Sequence, residues 1–341
     1  MTRWTKIIAS AGLAMLAVAA AAAQATINGA GATFPNPIYS KWFAEYNRLN
    51  PTIRINYQSL GSGAGIRQLT SKTVFFGATD GPMTADQMLA APGKIVHLPT
   101  VLGAVVPVYN IPGVTAELKF SGAVLAGIYL GRITKWNDGA IAALNSGVSL
   151  PSTDIVVVHR SDGSGTTYIW VDYLSKVSPE FRKSVGVATS VKWPTGVGGK
   201  GNEGVTGMVS QTPGSIGYVE LVYALQNKVA YGSVQNSSGN FVRATVDAVT
   251  AAASAAVAQM PPDFRVSITN PPGKDAYPIA SFTWLLLYEN PQDKAQSKVM
   301  VDFMKWALTE GQKFARDMGY APLPPALVEM EMKALQKIKV Q

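Results

Sequence analysis

The residues best suited to chemistry in this sequence lie in four short segments that combine glycine with hydroxyl, arginine or aspartate side chains. These segments are Gly29–Pro35, Gly61–Gly65, Gly77–Asp80 and Arg160–Thr166. Three of them lead directly into a helical pattern, and the start of a helix offers unpaired N–H groups and a positive dipole end. The hydroxyl groups of the set belong to Thr33, Ser62, Ser164 and Thr166. Together, these groups are suited to holding a small tetrahedral oxyanion.

The elements that must position these segments alternate between strand and helix patterns, which predicts an α/β fold. The apolar run Ile155–Arg160 is typical of a buried strand, and the loop after it opens a helix predicted over Thr166–Leu174. Arg160 therefore stands at the carboxyl end of a strand, where open α/β sheets bind their ligands.

Other patterns predict the scaffold around the segments. Ile95–Pro99 and Val101–Val108 are strand-like and are candidates for crossings between domains, and Pro194–Gly207 is predicted as a glycine-rich loop. Helical spacing predicts one helix whose apolar face comprises Ile38, Trp42, Phe43, Tyr46 and Leu49.

The first 25 residues have the pattern of a secretory signal peptide, with a basic head, an uncharged middle and an A-x-A end. Arg3 and Lys6 form the head, Ile7–Ala23 the middle and Ala23–Ala25 the end. We predict that residues 1–25 are removed, so that the mature protein is exported and soluble. The rest of the chain is long enough for two domains.

Composition excludes several kinds of site. The chain has no cysteine and only two histidines, His97 and His159, which are far apart in sequence. Thiol catalysis is therefore excluded, and a metal centre is not expected. The net charge of +8 favours anions, but lysine and arginine are scattered rather than clustered, so no nucleic-acid partner is expected.

A series of motifs resembles the phosphate-binding proteins of bacterial high-affinity phosphate ABC transporters. The matching stretches are Gly29–Pro35, Asn56–Gln58 with Gly61–Ser62, Thr73–Val74, Phe76–Ala78 with Asp80, Ile128–Gly131, Asp162–Thr166, Lys192–Pro194, Gly198–Asn202 and Ile216–Glu220. They occur in order through nearly the whole chain beyond the predicted signal peptide. The chain departs from the family pattern at Gly63, Ala64, Phe75 and His159, none of which is a ligand position in that pattern.

The resemblance implies an α/β periplasmic-binding-protein fold of type II, in which two lobes joined by a hinge of crossing strands close over the ligand. Lobe 1 would comprise residues 26–102 and 281–341, and lobe 2 residues 107–275. The hinge crossings would be residues 103–106 and 276–280. The implied protein is a periplasmic monomer without a cofactor that delivers inorganic phosphate to membrane permease subunits.

The resemblance also implies which residues bind phosphate. These are Thr33, Phe34, Ser62, Asp80, Arg160, Ser164, Gly165 and Thr166. Arg160 would be the charged donor, positioned by Asp162, and Asp80 would be the acceptor carboxylate. Phosphate keeps a proton near neutral pH and sulfate does not, so a buried carboxylate at this position would exclude sulfate.

The pattern alone leaves alternatives open. Asp80 is also suited to a turn before Gly81–Pro82, Arg160 to a surface position at a strand end, and Asp162 to a helix N-cap. Other candidate functions are a carrier of arsenate or another protonated oxyanion, a phosphate-ester hydrolase with Ser164 as its nucleophile, and a surface-interaction protein. The hydrolase lacks a nearby histidine base and a metal-ligand cluster in the sequence.

Overall fold

The computed structural model describes residues 25–257 and 259–341 of the chain. The predicted signal peptide, apart from Ala25, lies outside the described residues. Within the described ranges, no helix is both long enough and apolar enough to cross a membrane. Strands and helices alternate along much of the chain, as the sequence pattern predicts.

The elements up to the middle of the chain include the four segments singled out above. They are β1 (Ala25–Gly31), α1 (Asn36–Leu49), β2 (Ile53–Ser59), α2 (Ser62–Thr70), β3 (Phe76–Thr79), α3 (Ala85–Ala90), β4 (Ile95–Asn110), β5 (Lys119–Phe120), α4 (Gly122–Tyr129), α5 (Gly139–Leu144), β6 (Val156–Arg160), α6 (Gly165–Val177) and α7 (Pro179–Ser184).

The later elements return the chain to the strands with which it began. They are β7 (Val197–Gly199), α8 (Gly201–Gln211), β8 (Ser215–Glu220), α9 (Leu221–Gln226), β9 (Ala230–Tyr231), β10 (Ser233–Gln235), β11 (Phe241–Val242), α10 (Val246–Val257), β12 (Ala280–Tyr288), α11 (Lys294–Leu308) and α12 (Pro325–Leu335). Two short 3-10 helices, Gly311–Phe314 and Arg316–Met318, lie between α11 and α12.

The main sheet has the strand order β2-β1-β3-β12-β4-β8-β6-β7, and β9 also pairs with β4. Pairing is parallel among β1, β2 and β3 and among β6, β7 and β8, whereas β12 and β4 run antiparallel to their neighbours. We call the part built on β1, β2, β3 and β12 lobe 1, and the part built on β6, β7 and β8 lobe 2. A small second sheet has the order β11-β10-β5.

Strand β4 belongs to both lobes. Its residues up to Ala104 pair with β12 in lobe 1, and those from Val105 onwards pair with β8 in lobe 2. The two strands predicted at Ile95–Pro99 and Val101–Val108 are thus one continuous strand. The irregularity between them is a β-bulge at Thr100, where the register with β12 shifts, so the strand bends without ending.

Helix α1 buries one apolar face against lobe 1, as its spacing predicts. The buried residues are Ile38, Tyr39, Trp42, Phe43 and Tyr46. The Trp42 Nε1 donates a hydrogen bond to the carbonyl of Gly311 at 2.7 Å, which links α1 to the 3-10 helix Gly311–Phe314. The prediction that Leu49 belongs to this face is wrong: it is the last helical residue and is 51% exposed, because Pro51 turns the chain before another element covers it.

The predicted loop over Pro194–Gly207 is instead strand β7 followed by helix α8. Its glycines permit close packing rather than flexibility. A Cβ atom at Gly199 would lie 2.8 Å from the backbone nitrogen of Val205 and 2.9 Å from the carbonyl carbon of Gly204. Glycine propensity alone favours a loop, but here the helix start packs against the strand so closely that no side chain fits.

We predict that Gly65→Ala destabilises lobe 1 by about 1–3 kcal/mol, the usual cost of overpacking. A Cβ atom at Gly65 would lie 2.5 Å from the Cα of Gly31 and 2.7 Å from the carbonyl oxygen of Ala30, both backbone atoms that cannot move aside easily. Denaturant unfolding measures the change.

The matched control is Gly207→Ala, which lies inside α8 and whose Cβ would meet nothing within 4 Å. Alanine there should stabilise the helix by about 0.5–1 kcal/mol. Equal effects of the two substitutions would contradict the packing argument.

Candidate functional site

The structure brings the residues of the predicted ligand set to the boundary between the two lobes. Lobe 1 contributes the turn after β1, the start of α2 and the end of β3, and lobe 2 contributes the end of β6 and the start of α6. The residues placed there, all of them buried, are Thr33, Phe34, Ser62, Asp80, Arg160, Ser164, Gly165 and Thr166. Buried polar groups require hydrogen-bond partners, so their partners show what the site can bind.

The Ser62 hydroxyl joins the two lobes. Its oxygen accepts a hydrogen bond from the Asp80 N–H in lobe 1 at 3.2 Å and one from the Gly165 N–H in lobe 2 at 3.0 Å. A hydroxyl has two acceptor lone pairs and one hydrogen, so accepting twice leaves only its hydrogen unused. Ser62 is therefore a donor toward any further partner.

The hydroxyl oxygens of Thr33 and Thr166 likewise each accept two hydrogen bonds. The Thr33 oxygen accepts from the backbone N–H of Asn202 at 3.2 Å and from its side-chain Nδ2 at 2.7 Å. The Thr166 oxygen accepts from Arg160 Nη1 and from Asn202 Nδ2, both at 3.2 Å. Since N–H groups cannot accept, the hydrogens of both hydroxyls are also available for an acceptor.

The Arg160 guanidinium is held from one side by Asp162. Its Nε and Nη2 donate to the two carboxylate oxygens of Asp162 at 2.7 and 2.6 Å, a bidentate ion pair with the arginine side chain 1% exposed. Burial raises the pKa of Asp162, but the hydrogen bonds and positive charge of Arg160 outweigh that effect and hold the pKa below its usual value. With Nη1 also donating to Thr166, three of the five guanidinium hydrogens are used and the others remain for an anion.

The Asp80 carboxylate is the acceptor among these donors. Its Oδ1 accepts a hydrogen bond from the Thr283 hydroxyl at 2.8 Å, whereas its buried Oδ2 has no partner in the described part of the chain. Burial raises the pKa of Asp80 to about 7, although the Thr283 hydrogen bond and the charge of Arg160 act in the opposite direction. The unpartnered oxygen is therefore available to a group that carries a hydrogen.

The helix starts contribute backbone donors unequally. The N–H of Ser164 donates to the carbonyl of Thr189 at 2.7 Å, and the Ser164 hydroxyl caps α6 by accepting from the Thr167 N–H at 3.0 Å. The N–H groups of Phe34 and Thr166 donate to no group within the ranges that the structure describes. These two N–H groups, the hydroxyls and the remaining guanidinium hydrogens of Arg160 are therefore open to a ligand.

Sequence reasoning missed the residues that orient these groups. Asn202 belongs to the motif Gly198–Asn202, which the resemblance included but to which no role was given. Tyr218, in the motif Ile216–Glu220, accepts the Arg160 N–H at 3.1 Å. Thr283 lies in β12 and meets Asp80 only because the chain returns to lobe 1, so no local signal could have identified it.

We predict that the anion-free protein loses stability as the pH rises from about 4 to about 7. The folded-state pKa of Asp80, about 7, lies above the ordinary value of 3.8, so the folded protein keeps a proton in this window that the unfolded chain has released. The free energy of unfolding should fall by on the order of 4 kcal/mol across the window and level off above it.

Urea unfolding of wild type and Asp80→Asn at several pH values measures this effect. Burial also raises the pKa values of Glu220 and Glu331, so the difference between the two proteins isolates Asp80. The same pH dependence in both proteins would contradict the assignment.

Comparisons with known proteins show the family to which the chain belongs. Residues 17–310 match the family model described as a PBP superfamily domain. The phosphate-binding protein PstS of Pasteurella multocida is 46% identical over 93% of this chain and 91% of its own, and that of Xylella fastidiosa strain 9a5c is 48% identical over 89% and 83%. The predicted family is thereby confirmed.

The fold class is confirmed in the same way. The chain is similar to the solved structure of PfluDING, a high-affinity periplasmic phosphate-binding protein bound with phosphate. The TM-score is 0.73 and the identity 23%, over 90% of this chain and 93% of the other. At that identity the likeness shows the two-lobed fold, whereas the closer relatives show the family. The chain belongs to the PBP superfamily and, within it, to the family of PstS phosphate-binding proteins.

Proposed function

We propose that this protein is an exported solute-binding protein that captures inorganic phosphate and delivers it to the membrane permease subunits of an ABC importer. The observation that carries the proposal is the imbalance of the buried site. Among the predicted ligands, and within the described part of the chain, hydroxyl, guanidinium and backbone hydrogens remain unused and one acceptor, the Oδ2 of Asp80, has no partner. A tetrahedral oxyanion that retains one proton complements that arrangement, since its oxygens accept from the donors and its O–H donates to Asp80.

The proposed direct ligands are those that the family resemblance implies. Thr33, Ser62 and Thr166 would donate through their hydroxyls, Phe34 and Thr166 through backbone N–H groups, and Arg160 through its remaining guanidinium hydrogens. Ser164 would donate through its hydroxyl. Gly165 would lie against the anion at the start of α6, with its N–H bonded to the Ser62 hydroxyl. Asp162 would act on the ligand only through Arg160.

Capture would proceed by closure of the lobes at the predicted boundaries, with lobe 1 at residues 26–102 and 281–341 and lobe 2 at residues 107–275. The change of partner along β4 between Ala104 and Val105 supports a hinge at 103–106, and the start of β12 at Ala280 supports one at 276–280. Ligands from both lobes contact one anion only when the lobes meet, so the anion favours the closed state by its differential affinity.

The proposed location is the periplasm. A signal peptide over residues 1–25 would direct export and would then be removed. The basic head, uncharged middle and A-x-A end support this proposal. The proposed partners are phosphate and the permease subunits, with a monomer as the transported form and no cofactor. Nucleic acid is not a proposed partner, because the basic residues are scattered along the chain.

The other candidate functions fit the site less well. A hydrolase with Ser164 as its nucleophile would need a base beside that hydroxyl, whose oxygen instead accepts from the Thr167 N–H. His159 is not placed to act as this base, because its ring stacks on Trp193 with centroids 5.2 Å apart and its Nδ1 lies 3.1 Å from the Arg160 carbonyl. Arsenate presents the same protonated tetrahedral shape, so this site would also accept it.

Titration calorimetry of the mature protein, first stripped of bound anions, with phosphate, arsenate and sulfate tests the proposal. We expect tight binding of phosphate, binding of arsenate and exclusion of sulfate. Small-angle scattering with and without phosphate should show a smaller radius of gyration in the complex. Equal affinity for phosphate and sulfate would reject a site built around Asp80.

We predict that Asp80→Asn relaxes the exclusion of sulfate more than it weakens phosphate binding. The carboxylate only accepts, whereas an asparagine amide at this position also offers N–H donors to an anion without a proton. Sites built around one buried hydrogen bond discriminate by factors on the order of 10⁴, so the phosphate-to-sulfate ratio should fall by at least about a hundredfold.

The matched control is Asp138→Asn, because Asp138 caps α5 by accepting from the Ala140 N–H in an exposed position. It should leave the affinities for both anions unchanged. Continued full exclusion of sulfate by Asp80→Asn would refute the role of the carboxylate.

A further inference from the structure

Asn202 occupies the first turn of α8, and its side chain is completely buried. The orientation of its amide is fixed by Glu220, because Oδ1 accepts from the backbone N–H of Glu220 at 2.9 Å and a backbone N–H can only donate. Nδ2 must therefore be the atom that faces the site. Its two hydrogens reach Thr33 at 2.7 Å and Thr166 at 3.2 Å.

This amide determines that two hydroxyls, those of Thr33 and Thr166, act as hydrogen-bond donors. Each receives a hydrogen from Nδ2 and a second one from another N–H group, the backbone of Asn202 for Thr33 and the guanidinium of Arg160 for Thr166. Neither hydroxyl has a lone pair left, so each must turn its own hydrogen toward a third partner that accepts. Asn202 thus makes both threonines donors without itself being a predicted ligand.

Asn202 also connects the lobes. It is anchored in lobe 2, where its carbonyl accepts from the Thr206 hydroxyl at 2.7 Å within α8 and its Oδ1 is held by the end of β8. Thr33 lies across the boundary, in the turn between β1 and α1 of lobe 1. The hydrogen bonds from Asn202 to Thr33 can form only when the lobes meet, so closure and the orientation of the Thr33 hydroxyl are the same event.

We propose that Asn202 is a positioning residue that holds the Thr166 hydroxyl as an anion donor within lobe 2 and turns the Thr33 hydroxyl into a second anion donor as the lobes close; the inference rests on phosphate as the ligand. In the open protein, the Thr33 hydroxyl is free to rotate and to donate or accept. On closure, the Thr33 hydrogen joins that of Thr166, which lobe 2 already directs toward the anion. Because the protein already orients these hydroxyls, less of their rotational entropy is lost when the anion binds.

The test compares Asn202→Leu with Asn145→Leu. Leucine has nearly the shape of asparagine but no hydrogen-bonding atoms. Asn145 is the matched control, because it is also buried in lobe 2, accepts from one backbone N–H (Lys119) and donates through Nδ2 to two oxygens (Lys119 and Ile141), away from the site. The melting temperature of anion-free protein and the Kd for phosphate are measured for each variant.

Both variants should melt at a lower temperature than wild type, by similar amounts. Only Asn202→Leu should bind phosphate more weakly, by about 30-fold, the equivalent of two ordinary hydrogen bonds. Its phosphate-to-sulfate ratio should stay within about threefold of wild type, because the side-chain hydrogen bonds of Asn202 go to Thr33, Thr166 and Glu220 rather than to Asp80. A Kd within about threefold of wild type, or an equal loss of affinity in Asn145→Leu, would overturn the positioning role.

Asn202→Asp keeps the proposal testable if leucine prevents folding. It preserves the Oδ1 acceptor for the Glu220 N–H but replaces the donor atom by an acceptor, so the threonine hydroxyls turn toward residue 202 instead of the ligand. We expect at least a tenfold loss of phosphate affinity, and binding within threefold of wild type would overturn the inference. Failure of wild type itself to bind phosphate would instead reject the proposed function, and this inference with it.

Discussion

A buried hydroxyl that already accepts two hydrogen bonds can only donate, and the site depends on this constraint. The neighbours of Ser62, Thr33 and Thr166 are N–H groups, which leaves each hydroxyl with one usable hydrogen. The surrounding protein, rather than the ligand, therefore determines that these hydroxyls act as donors. A water molecule or a neutral alcohol satisfies such a cluster poorly, whereas an oxyanion satisfies it with several acceptor oxygens.

This arrangement requires the lobes to approach within hydrogen-bonding distance, and glycine makes that approach possible. A Cβ atom at Gly165 would lie 2.5 Å from the Ser62 oxygen and 2.6 Å from the Cβ of Asp80. Gly61 has a φ of +94°, and its Cβ would lie 2.2 Å from Asp162 Oδ2. The glycine-rich character of the segments thus reflects contact between lobes, and exclusion of water strengthens each electrostatic interaction in the enclosed space.

The sequence predicted the parts of the fold that local pattern determines. The strand leading to Arg160 and the helix predicted from Thr166 were found, because a buried strand and an apolar helix face leave clear periodic signals, whereas the N-cap of that helix is Ser164 rather than Asp162. The strand and helix over Pro194–Gly207 were missed, since glycine required by close packing resembles glycine in a loop. The residues that contact the predicted ligands could not be predicted for another reason. Thr283 lies 203 positions from Asp80 in the sequence, and only the topology of the fold brings the two together.

The same constraints that select an anion also make the anion-free site unfavourable. Donors without acceptors, and a buried Asp80 oxygen that has no partner among the residues the structure describes, are desolvation costs that the rest of the fold must offset. Burial pushes the pKa of Asp80 upward because a proton relieves part of that cost. A protonated oxyanion relieves it more completely, by supplying a hydrogen to Asp80 and acceptors to the donors together. Binding and closure are therefore coupled through the energy of the unpaired site, and an anion that lacks the proton leaves the most costly group, the carboxylate, still unpaired.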